Sequence, residues 1–285
     1  MRILVTGARG MLGTDLVCLL EENEHEVLAT DIQELDITRL ESIKKMAGDI
    51  APDIIVNCAA YTNVDKAEEE PAETFRINGL AVKNLALVCR DSGIGLCHIS
   101  TDYVFDGTKK GPYLPDDLPH PINTYGRSKL AGENHVREIL NKFYIVRTSW
   151  LYGKHGKNFV YTILDLAKKK KELRVVDDQV GSPTWTVTLC RAIEKLIATK
   201  KYGVYHATDR TENGISWYEF AREIVRLSGF KTGVIPRKAK EIPHPAQRPK
   251  NSLLDTTTVE FVVGENLPPW KNSLEKFLSE IRRNP

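Results

Sequence analysis

Three side chains near the middle of the chain could perform acid–base chemistry together: Tyr125, Lys129 and Thr101. A separation of four places the tyrosine and the lysine on one face of a helix, one turn apart. A phenol donates a proton, and a cation about 5 Å from the phenolate, at an effective dielectric near 20, stabilises it by about 3 kcal/mol, or about 2 pKa units. That would move a phenol from near 10 towards the working pH, the condition for efficient acid catalysis. Thr101 supplies a hydroxyl that can position a substrate oxygen. The set suits reduction of a carbonyl, with hydride from a nicotinamide and a proton from Tyr125. Spacing alone is weak evidence, because ten tyrosines and twenty-three lysines give about one such pair by chance. What singles out this pair is its place at the start of a predicted helix, about 25 residues after a strand-like run that ends in Ser100-Thr101.

A second constellation supplies the reductant. Thr6-Gly7-Ala8-Arg9-Gly10-Met11-Leu12-Gly13 follows a strand-like run and leads into an apolar-periodic stretch from Met11 to Leu20. In this setting Gly7 makes the tight turn, Gly10 lets a pyrophosphate approach the backbone, and Gly13 lets the helix pack closely on the strand. The pyrophosphate then meets free amides at a helix N-terminus. Asp31 lies eighteen residues after Gly13 at the end of the second strand-like run, placed to accept from the adenosine ribose hydroxyls. Arg9 opposes it, since its guanidinium could bind a 2′-phosphate. The two signals together predict use of NADPH or NADH with less than about a thousandfold discrimination. Asp36-Ile37 and Cys58-Ala59-Ala60-Tyr61 extend the same surface, the second group with small side chains at the carboxyl end of a parallel strand.

Positioning these groups requires an alternation of strands and helices. Strands are predicted at Arg2–Thr6, Glu26–Thr30, Asp53–Asn57, Leu96–Ser100 and Tyr144–Thr148, each a short apolar run of the kind buried on both faces. Thr38-Arg39-Leu40-Glu41 has capping-box spacing and predicts a helix ending before Gly48. A longer helix is predicted from about Ala72 to Asp91, with Pro71 before it and Gly93 after it. Beyond Trp150 the expected helices are Asn158–Lys171, Val187–Thr199, Ser216–Leu227 and Ser273–Ile281, with a strand at Val204–Ala207. Pro236, Pro243, Pro245 and Pro249 predict an ordered crossing segment. The pattern is α/β: a Rossmann-type, doubly wound parallel sheet over residues 1–150, rejoined by a segment near 185–208, with a smaller C-terminal substrate-binding lobe over 151–285.

Composition agrees with a globular chain of 285 residues, 41% apolar and 27% charged. Forty basic residues against thirty-eight acidic ones leave +2, so neither nucleic acid nor a membrane surface is expected as a partner. No run approaches the roughly 20 apolar residues of a membrane span, and the first residues do not resemble a secretory signal. Cys18, Cys58, Cys89, Cys97 and Cys190 are odd in number and scattered, which suits buried thiols in a cytoplasmic protein. No Cys or His cluster has metal-ligand spacing, and His98 reads as a core residue.

The glycine loop, Asn57-Cys58-Ala59-Ala60, Ser100-Thr101-Asp102-Tyr103-Val104-Phe105, Tyr125-Gly126-Arg127-Ser128-Lys129 and Arg147-Thr148-Ser149-Trp150 resemble the extended short-chain dehydrogenase/reductases. Asp178-Gln179-Val180-Gly181-Ser182-Pro183-Thr184 and Arg248-Pro249-Lys250-Asn251-Ser252 carry the resemblance to nearly the whole chain. It implies reduction of the 4-keto group of a nucleotide-linked sugar, dTDP-4-dehydro-β-L-rhamnose, to dTDP-L-rhamnose. By the same resemblance Gly10, Met11, Leu12, Asp31, Asp36, Ile37 and Cys58 to Ala60 touch the cofactor. Tyr125 gives the proton, Lys129 holds nicotinamide ribose and tyrosine, and Thr101, Asp102 and Trp150 meet the sugar. Arg248 could pair with the diphosphate. Some members are described as metal-linked dimers. Asp15 is acidic here, but Val187 stands where a second acid would be, so neither a metal nor that dimer is expected, and a homodimer of another kind is left open. A 4,6-dehydratase is disfavoured because Tyr103 replaces its glutamate. An epimerase uses the same Tyr–Lys pair, and the regulatory subunit of methionine adenosyltransferase resembles the same motifs.

Overall fold

A computed structural model describes residues 1–283. The apolar runs form strands β1 (Arg2–Thr6), β2 (Glu26–Thr30), β3 (Ile54–Asn57), β4 (Gly95–Thr101) and β5 (Phe143–Thr148), within a residue or two of the sequence prediction. The later strands are β6 (Glu172–Val176), β7 (Gly203–His206) and β8 (Gly233–Arg237). Six of these form one parallel sheet in the order β7-β5-β4-β3-β1-β2. The chain steps from β1 to β2 on one side and returns to β3 on the other. This reversal opens a crevice at the carboxyl ends of β1 and β3, where ligands of open α/β sheets bind.

Helices cover both faces. Helix α1 (Met11–Glu22) follows β1, α2 (Leu40–Ile50) follows β2, and α3 (Val64–Glu69) follows β3. The predicted 72–91 helix is three pieces in line: α4 (Pro71–Phe75), a π-helical turn (Arg76–Leu80) and α5 (Ala81–Ser92), ended by left-handed Gly93. Helix α6 (Thr124–Ile139) connects β4 to β5. Leu4, Ile55, Leu96 and Ile145 pack under α2, α5 and α6, through Ile43, Leu85 and Val136. On the opposite face Ile3, Val5, Val56 and Val146 pack against α1 and α8 (Thr186–Ala198).

Two local expectations fail for identifiable reasons. Helix α2 runs through Gly48 and ends at Ala51, which itself takes the left-handed conformation at φ 46°. Thr38 does not cap α2, because its amide and hydroxyl both donate to Asp36 Oδ1, at 3.0 and 2.7 Å.

After Trp150 the chain builds a second cluster from α7 (Phe159–Lys169), α9 (Trp217–Ser228) and α11 (Trp270–Arg283), around Tyr152, Trp185, Phe220 and Phe277. Strands β6 and β8 pair in parallel at its edge, so Pro236 sits in a strand within the proline-dense stretch. Ser216 caps α9 in a full capping box with Glu219. Between these elements, α8 and β7 return to the large sheet, and α10 (Thr257–Val263) packs there through Val259.

Candidate active site

The glycine loop lies at the carboxyl end of β1. Gly7 has φ 67°, and a Cβ there would stand 2.6 Å from the Ala59 nitrogen, so the loop and the segment just after β3 are in direct backbone contact. A Cβ at Gly13 would stand 2.2 Å from the Gly7 oxygen. Gly10 is exposed, and the first amides of α1 behind it have no side-chain cap. Thus Gly7 and Gly13 are required by the protein's own packing, whereas Gly10 leaves a helix N-terminus open to an anion. The structure turns the Leu12 and Ile37 side chains into the two cores, which leaves their backbones facing the crevice. Met11 is half-buried beside the loop.

Asp31 accepts from the amides of Arg9 and Ile32, at 3.0 and 2.8 Å, and so ties the loop to the end of β2. The Arg9 guanidinium bonds Gln33 at 2.7 Å and pairs with Glu34, on the turn after Asp31. It is engaged at the end of β2 rather than free. Asp36 is held below the usual carboxylate range by its bonds from Thr38 and by Arg39. Cys58, Ala59 and Ala60 line the crevice half-buried; burial pushes the Cys58 thiol up to about 12, so it is inert. Tyr61 is fixed by Asn78 in the π-helical turn, which accepts from its amide at 2.8 Å and donates to its carbonyl at 3.0 Å. Asn78 also bonds Ser128 on α6 at 3.0 Å, a link between the segment after β3 and the helix of Tyr125 and Lys129 that no local motif announces.

Helix α6 is started by Asn123, whose side chain accepts from the Gly126 amide at 2.8 Å, and this sets Tyr125 in the first turn. Burial pushes the Tyr125 phenol up to about 12, against a bond to Thr101 that lowers it. Thr101 accepts from the Tyr103 amide at 3.2 Å and donates to Asp102 Oδ1 at 3.0 Å. Asp102 is buried, its Oδ2 lacks a hydrogen-bond partner among the described residues, and burial pushes its carboxyl up to about 7. The Tyr103 ring meets Tyr125 edge-on, with centroids 5.9 Å apart.

Lys129 departs from the expected electrostatics. Its Nζ donates to the Ile99 carbonyl at 2.7 Å and lies 3.4 Å from His98 Nε2. Its charge is felt by Cys58, His98 and Glu133, and burial lowers it to about 8. The groups that shift the phenol are Thr101 and Asp102, not the lysine. The 2-unit depression expected of Tyr125 is therefore absent, and the phenol stays protonated through the physiological range.

Trp150 has φ 48°, a conformation costly for an aromatic residue. Its indole stacks on Trp217, with centroids 3.6 Å apart and planes 11° from parallel, so one face is already covered. Trp217, absent from the sequence-based set, lines a cavity of about 730 Å3 with Phe159, Gln179, Arg237, His244 and Arg248. Arg248 bonds Asp65 on α3 at 2.8 Å and lies against the Tyr103 hydroxyl, which joins the cavity to the tyrosine site. Asp15 pairs with His155 at 3.4 Å and accepts from Thr186, while Val187 packs into the second cluster. Among the described residues no group of three or more acidic, His or Cys side chains could hold a metal, and no helix is long and apolar enough to cross a membrane.

A parallel sheet with a glycine loop at its switch point, and a Tyr–Lys helix facing a threonine at the end of β4, define an NAD(P)H-dependent oxidoreductase of the extended short-chain type. Residues 1–283 match the family described as RmlD substrate binding domain, and the chain belongs to that family. It is 40% identical over 292 residues to a dTDP-4-dehydrorhamnose reductase of Aggregatibacter actinomycetemcomitans, covering 96% of this chain and 97% of that one. A crystal structure of a dTDP-4-dehydrorhamnose reductase from Clostridium acetobutylicum superposes with a TM-score of 0.96 at 44% identity, over 99% of this chain and 100% of that chain. The Bacillus anthracis str. Ames dTDP-4-dehydrorhamnose reductase, solved in complex with NADP, has a TM-score of 0.94 and 42% identity, over 98% of this chain and 99% of that chain.

Proposed function

We propose that the protein reduces the 4-keto group of dTDP-4-dehydro-β-L-rhamnose to give dTDP-L-rhamnose. The observation that carries this reading is the grouping of Tyr125 with Thr101 and its hydrogen-bonded neighbour Asp102, which adjoins through Tyr103 and Arg248 a cavity large enough for a nucleotide sugar. In this reading residues 1–150, with the segment near 185–208, hold the dinucleotide, and most of 151–283 holds the sugar nucleotide. Bound NADPH or NADH supplies the hydride. Gly10 and the α1 amides hold its pyrophosphate, and Asp31 meets the adenosine ribose. A 2′-phosphate would draw the Arg9 guanidinium from Glu34, which is why both cofactors are expected to serve.

Tyr125 transfers its proton to the carbonyl oxygen as the carbon accepts hydride, so the keto group becomes a hydroxyl. Thr101, held by Asp102 and the Tyr103 amide beside the phenol, positions the substrate oxygen to receive that proton. Arg248 and Arg237 face the diphosphate charge, and the free face of the Trp150–Trp217 stack packs on the sugar. All five cysteines are free thiols, in keeping with a cytoplasmic enzyme.

The test follows NADPH oxidation with dTDP-4-dehydrorhamnose generated in situ, comparing wild type with Tyr125→Phe. The variant should lose about 10²–10⁴-fold in kcat and keep its affinity for NADPH. No turnover of this substrate by wild type, with turnover of a different nucleotide sugar, would overturn the assignment.

A further inference from the structure

Beneath the tyrosine site the sheet carries a second polar line that the reaction as derived does not use. Thr6 ends β1, Asn57 ends β3 and His98 lies in β4, and the three are register partners on neighbouring strands, so their side chains share one face. Their exposures are 1%, 0% and 0%, which puts the whole row out of water. The Thr6 hydroxyl lies 2.6 Å from Asn57 Oδ1, Asn57 Nδ2 lies 3.0 Å from His98 Nδ1, and His98 Nε2 lies 3.4 Å from Lys129 Nζ. Two residues back on the same face the row is Leu4, Ile55 and Leu96, apolar throughout. Packing alone would have continued in kind, because each buried polar group is costly unless it is satisfied.

We propose that Thr6, Asn57 and His98 are positioning residues for Lys129, a line that fixes where its Nζ sits and which protonation state it holds. The chemistry of the three side chains explains the choice. Thr6 and Asn57 each offer both a donor and an acceptor, and a neutral imidazole offers one of each. When Lys129 is an ammonium it donates to Nε2, and with the Asn57 amide turned over from the orientation above, Nδ1–H donates to Asn57 Oδ1 and Asn57 Nδ2–H to the Thr6 oxygen. In the opposite polarity Thr6 donates to Asn57 and Asn57 donates to Nδ1. The imidazole proton then faces Nζ, where only an uncharged amine can accept it. The line therefore matches either state of the lysine without leaving a buried atom unpaired. A charged residue in the row would force one state.

The other groups around Nζ do not do this. Ile99 offers a carbonyl from β4, Cys58 an inert thiol after β3, and Glu133, one turn along α6, is itself compensated by Arg147. Desolvation disfavours charge on both Lys129 and His98, so the direction of the line decides between neighbouring states rather than opposing a fixed charge.

The inference rests on the placing of Lys129 in the reductase site, so the test reads the lysine directly and needs no substrate. The 15Nζ resonance of Lys129 is titrated in the full-length, 15N-lysine-labelled protein as wild type, Asn57→Asp, His98→Leu and His98→Gln. Wild type is expected to titrate near 8. Asn57→Asp, an acceptor only, should hold the proton on Nδ1 and raise the midpoint by about one unit or more. His98→Leu removes the acceptor and should lower the midpoint and cut kcat about tenfold or more with KM little changed. His98→Gln, which restores an acceptor beside Nζ and a donor towards Asn57, should return both towards wild type. If His98→Leu does not fold, Asn57→Asp and His98→Gln carry the comparison. A Lys129 midpoint that is the same in every variant, with changes only in melting temperature, would overturn the proposal. Absence of reductase activity in wild type would instead count against the substrate assignment, while the midpoints still decide the role of the line.

Discussion

Replacement of Asp209 by asparagine should remove most of one pH-dependent component of stability, in a direction that the structure fixes. Asp209 is fully buried where α8, α11 and the strand-like Leu151–Tyr152 meet. Its Oδ2 accepts from the Trp185 amide at 3.0 Å and lies 3.5 Å from the Tyr152 hydroxyl, while Oδ1 has no partner among the described residues. Burial pushes its carboxyl from 3.8 up to about 7, against the bonds that lower it. Between those two values the unfolded chain has lost the proton and the folded chain keeps it, so unfolding becomes easier by about 1.4 kcal/mol per pH unit. The stabilisation is complete below about 4, is lost as pH rises to about 7, and amounts to about 4 kcal/mol over the whole range. Asparagine keeps an acceptor for the Trp185 amide and does not titrate. In urea denaturation at pH 5, 6, 7 and 8, wild type should lose about 2 kcal/mol relative to Asp209→Asn between pH 5 and 7, and about 0.5 kcal/mol or less above that. Asp102 shifts in the same direction but is present in both proteins, so the difference isolates Asp209. A gap between the two proteins that stays constant from pH 5 to 8 would refute the reasoning.

Glu133→Ala should be severely destabilising. Its carboxylate receives Arg147 Nε at 2.9 Å, Arg147 Nη2 at 2.7 Å and Ser100 Oγ at 2.6 Å, all out of water, and removing it strands the Arg147 charge at a cost of about 3–5 kcal/mol in chemical denaturation. Glu133 is also held below the usual carboxylate range, chiefly by Arg147 against the burial that raises it. Its stabilisation is therefore present above about 4.5 and fades as acid takes pH down through the depressed value, so wild type should show an acid limb that the variant lacks. Gly13→Ala should weaken NADPH binding by about tenfold or more in a fluorescence titration and also lower stability, because the new methyl must displace the Gly7 carbonyl that shapes the loop. Unchanged affinity would show that the loop relaxes at no cost to its anion site.

What the sequence determines by itself is what has a local cause. Continuous apolar runs such as Ile3-Leu4-Val5 and Ile54-Ile55-Val56 can be satisfied only by strands covered on both faces, and they lie within a residue or two of the strands observed. The glycine spacing after β1 and the Tyr125–Lys129 separation likewise specify a turn, a helix and a shared helix face with little help from the rest of the chain. Where local signals compete, the structure chooses. Gly48 reads as a helix end, yet Ala51 closes α2, because the packing of Ile43 and Ala47 holds the helix past the glycine. Leu12 and Ile37 sit in motifs whose sequence points to a cofactor, and their side chains are drawn into the cores.

Only the tertiary structure decides what depends on register and burial. That Trp217 stacks on Trp150 follows from folding α9 against the segment after β5, sixty-seven residues earlier in the chain. The state of Tyr125 could not be read from its distance to Lys129 along a helix: the lysine is turned onto Ile99 and His98, and desolvation raises the phenol without the attraction that the spacing suggests. His98 reads in sequence as a core residue, and it is one. Register alone makes it more, by aligning Thr6, Asn57 and His98 from three strands into a single polar row that ends at Lys129. Side-chain type is a local property. Which buried atoms face one another is fixed by strand pairing across fifty residues, and the protonation of a buried group depends on those neighbours.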